Sequence, residues 1–217
     1  MARAGVAEHA PTIDAIRRRL ATPRAPHDPR ERIVANIAGV VTPELRAALE
    51  RPARPASVLL PLVGRPSGLT VLFTERAAHL KDHAGQISFP GGRIAASGET
   101  AVDAALREAS EEIGLEPRHV DVLGSLDELL TGTGFSITPV VGYVASGAFV
   151  SAPDPTEVAS VFEVPLDFIC EPASIVETYR ERLGTRFRTY ELQHGGYRIW
   201  GATAAILVSF RDLISKV

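Results

Sequence analysis

The chain has 217 residues, 45% of them hydrophobic, and a formal net charge of −3. That length supports one full core with a terminal extension, and that charge excludes the broad basic field general nucleic-acid binding needs. The single cysteine, Cys170, excludes an intrachain disulfide and a multi-cysteine metal cluster, and is expected to be a small buried hydrophobe.

From the start, MARAGVAEHAPTIDA holds no continuous apolar run, and Val58-Leu59-Leu60 is interrupted by Pro61, so neither a secretory nor a membrane-spanning segment is expected. A cytoplasmic protein is the expectation. Residues 11–20 read as a helix with Ile13, Ile16 and Leu20 on one side, followed by the Pro- and Arg-rich stretch 22–32. Residues 1–50 thus read as a helical extension and linker that wraps the core or meets a second subunit as a homodimer, and 51–217 as the main domain. Strand-like runs follow at 56–63, 69–74 and 86–89, then a helix entered at Thr100 and closed at Gly114. Further strand-like runs lie at 120–126, 137–145, 175–179 and 186–192, before a last apolar helix at about 202–213. Helices among strand runs must cover sheet surface, which predicts an α/β protein with a mixed sheet sandwiched between helices.

The helix after Thr100 carries the strongest signal. Thr100 and Asp103 have capping-box spacing, and Val102, Ala105, Leu106, Ala109 and Ile113 make one apolar stripe. Gly114 supplies the left-handed closing residue. Off that stripe Glu108, Glu111 and Glu112 crowd the C-terminal turn, where like charges repel at these spacings and the helix dipole is already negative. A divalent cation held by the carboxylates is the remedy that chemistry suggests. Arg107 lies four residues after Asp103 and four before Glu111, in reach of either carboxylate. The preceding Phe89-Pro90-Gly91-Gly92 loop lets backbone approach a ligand closely and aim a carbonyl at a cation.

Gly92, Glu99, Arg107-Glu108-Ala109, Glu111-Glu112 and Gly114-Leu115 resemble the Nudix box. The resemblance implies an α/β/α sandwich and Mg²⁺- or Mn²⁺-assisted hydrolysis of a nucleoside diphosphate linked to another group. It implies Glu108 and Glu112 as metal ligands, Glu111 as a further ligand or the residue that activates water, and the Gly91 carbonyl as completing the coordination. Arg107 would orient the carboxylates through Glu99. Six residues separate Gly92 from Glu99, one more than in the common box, so the loop is expected to bulge.

Upstream, Leu72-Phe73-Thr74-Glu75-Arg76-Ala77, Lys81, Gly85 and Phe89-Pro90-Gly91-Gly92 are similar to the signature of the coenzyme A pyrophosphatase branch, in which the longer loop is usual. By that likeness Arg76, Lys81, Gly85 and Phe89 contact substrate. Lys81 stands where the branch has Arg, keeping the cation but losing a two-pronged donor. Independently of any family, Arg76, Lys81 and His83 place basic charge on a segment feeding an acidic site, which suits a polyphosphate. His79 and His83 read as solvated or hydrogen-bonded loop residues.

Two later residues have a double reading. Glu157 is either an additional ligand or base, or a helix-starting acid. Trp200 either stacks on adenine or is core packing. The expected substrate is coenzyme A or acyl-CoA, cleaved to 4′-phosphopantetheine, or its acyl form, and adenosine 3′,5′-bisphosphate. The alternatives are a Nudix enzyme for ADP-ribose, dinucleotides or nucleoside triphosphates, and a non-catalytic coenzyme A or nucleotide sensor.

Overall fold

The computed structural model describes residues 11–25, 28–80, 83–95 and 98–215. Helix α1 (Ile13–Ala21) begins where the Thr12 hydroxyl accepts a hydrogen bond from the Ala15 amide. Helices α2 (Pro29–Ala35) and α3 (Pro43–Glu50) follow the same logic, capped by Asp28 and Thr42 with proline at the first helical position. So helix α2 begins inside the Pro- and Arg-rich stretch read as linker.

The remaining elements are β1 (Arg54–Arg65), β2 (Gly68–Arg76), β3 (Ile87–Ser88), β4 (Gly91–Arg93), α4 (Ala101–Ile113), β5 (Asp121–Ser125), β6 (Leu129–Leu130), β7 (Phe135–Val144), β8 (Val158–Pro165), α5 (Leu166–Cys170), β9 (Ile175–Arg182), β10 (Thr185–His194), β11 (Tyr197–Trp200) and α6 (Gly201–Ile214). The main sheet runs β3-β2-β1-β7-β5, with β4 on β1, β6 on β7 and β8 on β2. Strands β1 and β7 are parallel from Arg54↔Phe135 to Val63↔Val144, and the other pairings are antiparallel, so the sheet is mixed.

Each face of this sheet has its own apolar layer. On one, Leu59, Val63, Leu72 and Val140 meet Ala105, Ala109 and Ile113 of α4. On the other, Leu60, Leu62, Val71 and Phe73 meet Ile16 and Leu20 of α1 and Ile206, Leu207 and Phe210 of α6. This is the expected α/β/α sandwich. Among the described residues no helix is long and apolar enough to cross a membrane.

One edge of β1 changes partner midway: residues 56–58 pair with β4 and residues 62–65 with β2. The Leu59 amide donates to the Pro90 carbonyl at 2.8 Å, which anchors the glycine loop at the split. Pro61, with no N–H to donate, falls in the gap between the two partners, where it breaks no ladder bond.

Two departures from the sequence pattern matter. Residues 175–179 and 186–192 lie in a separate three-stranded sheet, β11-β10-β9. Strand β8 was missed because Glu163 breaks its apolar pattern. The structure shows why it is tolerated: Arg65 Nε donates to Glu163 Oε2 at 2.9 Å and the Thr70 hydroxyl to the same oxygen at 2.6 Å.

Candidate active site

Both ends of α4 are fixed by local chemistry. At the start, the Thr100 hydroxyl accepts from the Asp103 amide at 3.1 Å and Asp103 Oδ2 accepts from the Thr100 amide at 3.2 Å. At the finish, Gly114 takes φ 73° and the Leu115 amide reaches back to the Ala109 carbonyl at 3.2 Å. The amides of Ala152 and Asp154 then cap the Ile113 and Glu112 carbonyls, each at 2.9 Å. These orphan helix carbonyls are satisfied by a strap from outside the helix, so the acidic turn is held rather than frayed.

Arg107 is the hub. Its Nε donates to Glu99 Oε1 at 2.8 Å, and its Nη1 donates to Glu108 Oε1 at 2.9 Å and Glu111 Oε2 at 3.0 Å. The other Glu99 oxygen accepts from the Ala95 amide at 2.7 Å. The Arg107 guanidinium, then the Ala95 N–H, hold Glu99 below the usual carboxylate range. The extra loop residue therefore does not displace Glu99, and the pairing expected between Glu99 and Arg107 is present.

Glu108 lies directly on Gly92: a Cβ at that position would come within 2.3 Å of Glu108 Oε1. Gly91 is constrained differently, since a Cβ there would meet the Ser57 carbonyl oxygen at 2.4 Å and the Val58 Cα at 2.6 Å. The first glycine lets the strands approach, and the second makes room for a carboxylate. Burial raises the Glu108 pKa, opposed by Arg107 and reinforced by Glu111 and Glu157.

Glu112 is the anomaly. It is 4% exposed, and its Oε2 has no hydrogen-bond partner among the described residues. Burial, then the charges of Glu108 and Glu157, push its pKa to about 8, against the opposing pull of Arg76 and of the Gly91 N–H that faces it. The contact Gly91 makes with this carboxylate is thus through its N–H. An orphaned buried carboxylate oxygen costs roughly 1–3 kcal/mol or more, and it is the donor a hard dication takes. Among the described residues no three acids, histidines or cysteines are yet arranged to hold a metal ion together. Arg107 holds one oxygen of Glu108 and one of Glu111.

Glu157 belongs to this cluster through its charge on Glu108 and Glu112. It does not start a helix: it sits in the turn before β8, where the Ala77 amide donates to its carbonyl at 2.9 Å. That turn is built by Asp154, whose Oδ1 accepts from the Thr156 amide at 2.8 Å and hydroxyl at 2.7 Å. Asp154 escaped the sequence reading, although Asp-Pro-Thr was a legible turn signal.

Of the substrate-contact expectations, Arg76 ends β2 with its Nε buried and without a partner among the described residues. Gly85 turns the loop back at φ 68°, its amide donating to the Arg76 carbonyl at 3.1 Å. Lys81 lies outside the described residues. Phe89 is corrected: it is 3% exposed and stacks on Phe73 at 5.1 Å, so it anchors the glycine loop from within the core. His79 and His83 are hydrogen-bonded loop residues as expected, to the Thr156 carbonyl at 3.0 Å and Gln86 Oε1 at 2.7 Å. Cys170 is half-buried, and burial raises its pKa, which suits no nucleophile.

A NUDIX domain model matches residues 53–181. A Nudix hydrolase NudL of Pectobacterium atrosepticum is 40% identical over 168 residues, covering 76% of this chain and 84% of its own. The NudL of Salmonella paratyphi B is 41% identical, covering 71% of this chain and 79% of its own. Among solved structures, a MutT/nudix family protein from Enterococcus faecalis aligns with TM-score 0.48 and 17% identity over 77% of this chain and 64% of that one.

Proposed function

The chain belongs to the Nudix hydrolase family, and on that premise we propose that it hydrolyses the diphosphate linkage of coenzyme A or acyl-CoA with Mg²⁺ or Mn²⁺. The observation that carries the metal-dependent chemistry is the orphaned, buried Glu112 carboxylate oxygen beside Glu108 on Gly92. Support for coenzyme A comes from residues 72–92, whose sequence resembles the coenzyme A branch.

Glu108, Glu112 and Glu111, with the Gly91 carbonyl, would hold the cation. When bound, a divalent cation supplies charge neutralisation on the phosphate oxygens and a lowered pKa for a water. Each side chain then has a stated task. Arg107 positions Glu108 and Glu111 and is itself positioned by Glu99. Glu111 projects to solvent with one oxygen on Arg107, so its other oxygen can accept the proton of the attacking water. Glu157 is the second candidate for that proton. Arg76 holds the phosphate that does not react, and Lys81, five residues on in sequence, is the second cation assigned to it. Water adds in line to one phosphorus and the bridging P–O bond breaks, leaving 4′-phosphopantetheine, or its acyl form, and adenosine 3′,5′-bisphosphate.

Incubation of purified protein with coenzyme A and Mg²⁺ or Mn²⁺, followed by product chromatography, tests this reading. The expected result is 4′-phosphopantetheine and adenosine 3′,5′-bisphosphate in equal amounts. Intact coenzyme A beside rapid cleavage of ADP-ribose overturns the substrate assignment, and tight coenzyme A binding with no turnover under any divalent metal indicates a sensor.

A further inference from the structure

The three-stranded sheet has one face committed to the core. Tyr197 stacks on Phe162 with centroids 3.6 Å apart, and Ile175, Leu192 and Ile199 are buried in the same layer. Strand alternation and the register Glu191↔Trp200 and Glu191↔Val176 put Trp200, Glu191, Arg198 and Arg180 together on the opposite face. There the Arg180 guanidinium lies 4.3 Å above the centroid of the half-buried Trp200 ring, and that of Arg198 lies 5.9 Å away. Glu191 is already neutralised, since Arg198 Nη2 donates to it at 2.6 Å and Gln193 Nε2 at 3.1 Å. The two guanidiniums and one carboxylate leave the patch with a surplus positive charge beside a half-buried aromatic ring.

The sheet that carries the patch meets the β3 edge of the main sheet. Strand β11 runs straight into α6, where the Thr203 hydroxyl donates to the Ile87 carbonyl at 3.0 Å. Ile87 is the β3 residue opposite Glu75, the neighbour of Arg76. Strand β11 thus lies beside β3, which pairs with the Arg76 end of β2.

We propose that Trp200, Arg180 and Arg198 form the subsite for the nucleotide end of the substrate, a purine ring stacked on the indole with its ribose phosphate monoester held by the guanidiniums. This rests on the coenzyme A reading, whose product adenosine 3′,5′-bisphosphate carries that extra phosphate. The chemistry fits: an aromatic face accepts a base without reading its edge, and an arginine parked on an indole is free to turn to a phosphate.

Trp200 is the only tryptophan of the chain, so its fluorescence reads the subsite directly in the intact protein. Titration with adenosine 3′,5′-bisphosphate in chelator is expected to quench it, with AMP binding about tenfold more weakly, the weight of one charged contact. Arg180→Ala is expected to raise KM for coenzyme A about tenfold with kcat nearly unchanged, and to leave KM for dephospho-coenzyme A as it was. Trp200→Phe, which keeps an aromatic face, is expected to retain most of the affinity that Trp200→Leu loses. Equal quenching by both nucleotides, no quenching by either, or an Arg180→Ala effect shared by both substrates overturns the subsite. Coenzyme A turnover by the unaltered protein is followed alongside. Cleavage without quenching rejects the subsite alone, whereas selective quenching without cleavage rejects the coenzyme A reading and leaves the subsite standing.

Discussion

Glu163 and Glu112 are both largely withdrawn from solvent against the same sheet, and their surroundings treat them in opposite ways. Burial would raise the Glu163 pKa, but Arg65 and Thr70 more than offset it and hold the carboxylate below its usual range. Glu112 has one facing N–H, two neighbouring carboxylates and an oxygen with no partner among the described residues, and is pushed to about 8. The first is a carboxylate completed by its fold. The second is one the fold leaves incomplete, and incompleteness of that kind marks a site meant for something else.

Exchanging each acid for its neutral amide tests that contrast most strongly. Glu112→Gln is expected to keep the fold and lower kcat by roughly 10²–10³-fold, the scale of losing a principal electrostatic group. Glu163→Gln should leave kcat within about twofold and reduce unfolding free energy by roughly 1–2 kcal/mol, modest because the Arg65 pair is partly solvated. Steady-state kinetics and urea melts of both variants read the difference, and equal kcat losses would dissolve it.

The adjacent glycines sharpen the same division at smaller scale. Gly92→Ala drives a methyl into the Glu108 carboxylate, a flexible side chain that yields, so the expected outcome is a folded protein with metal affinity down about tenfold by calorimetry. Gly91→Ala meets strand backbone at Ser57 and Val58, which cannot yield cheaply, so the loss should appear as stability first. Unchanged metal affinity in Gly92→Ala would be inconsistent with Glu108 as a ligand.

A further expected effect is in pH dependence without metal. The Glu112 pKa is raised in the folded state from an ordinary value of 4.5 to about 8, so its contribution to stability is full below about 4.5 and is lost as pH rises through 8. In chelator, Tm should therefore decline between about pH 5 and 9 by more in the unaltered protein than in Glu112→Gln. Added Mn²⁺ should flatten that slope. Identical slopes in the two proteins would argue against the incomplete carboxylate.

Much of the site was legible because it is local. The capping pair Thr100 and Asp103, the Gly114 closure and the crowding of Glu108, Glu111 and Glu112 all follow from helical spacing, which sequence displays directly. The link from Arg107 to Glu99 was also anticipated, and it survives the longer loop because an arginine side chain spans a bulge. What sequence misread depends on distance across the chain. Phe89 looked like part of a ligand loop, yet aromatic stacking on Phe73 draws it into the core. Glu157 looked capable of starting a helix, but pairing of β8 with β2 extends the chain there. Trp200 proved to be neither fully core nor free, with Arg180 laid over it from a strand twenty residues earlier in sequence.

The sequence alone determined the acidic helix end, its caps, the glycine pair before it and the alternation of strands and helices, since each depends on neighbours within about two helical turns. Only the tertiary structure decided which acid is buried and left one oxygen short, that the strap at Ala152–Asp154 caps the helix carrying it, and that Glu157 and Arg76 converge on it. Burial and long-range charge set those properties, and both are sums over residues that meet only when the sheet has closed.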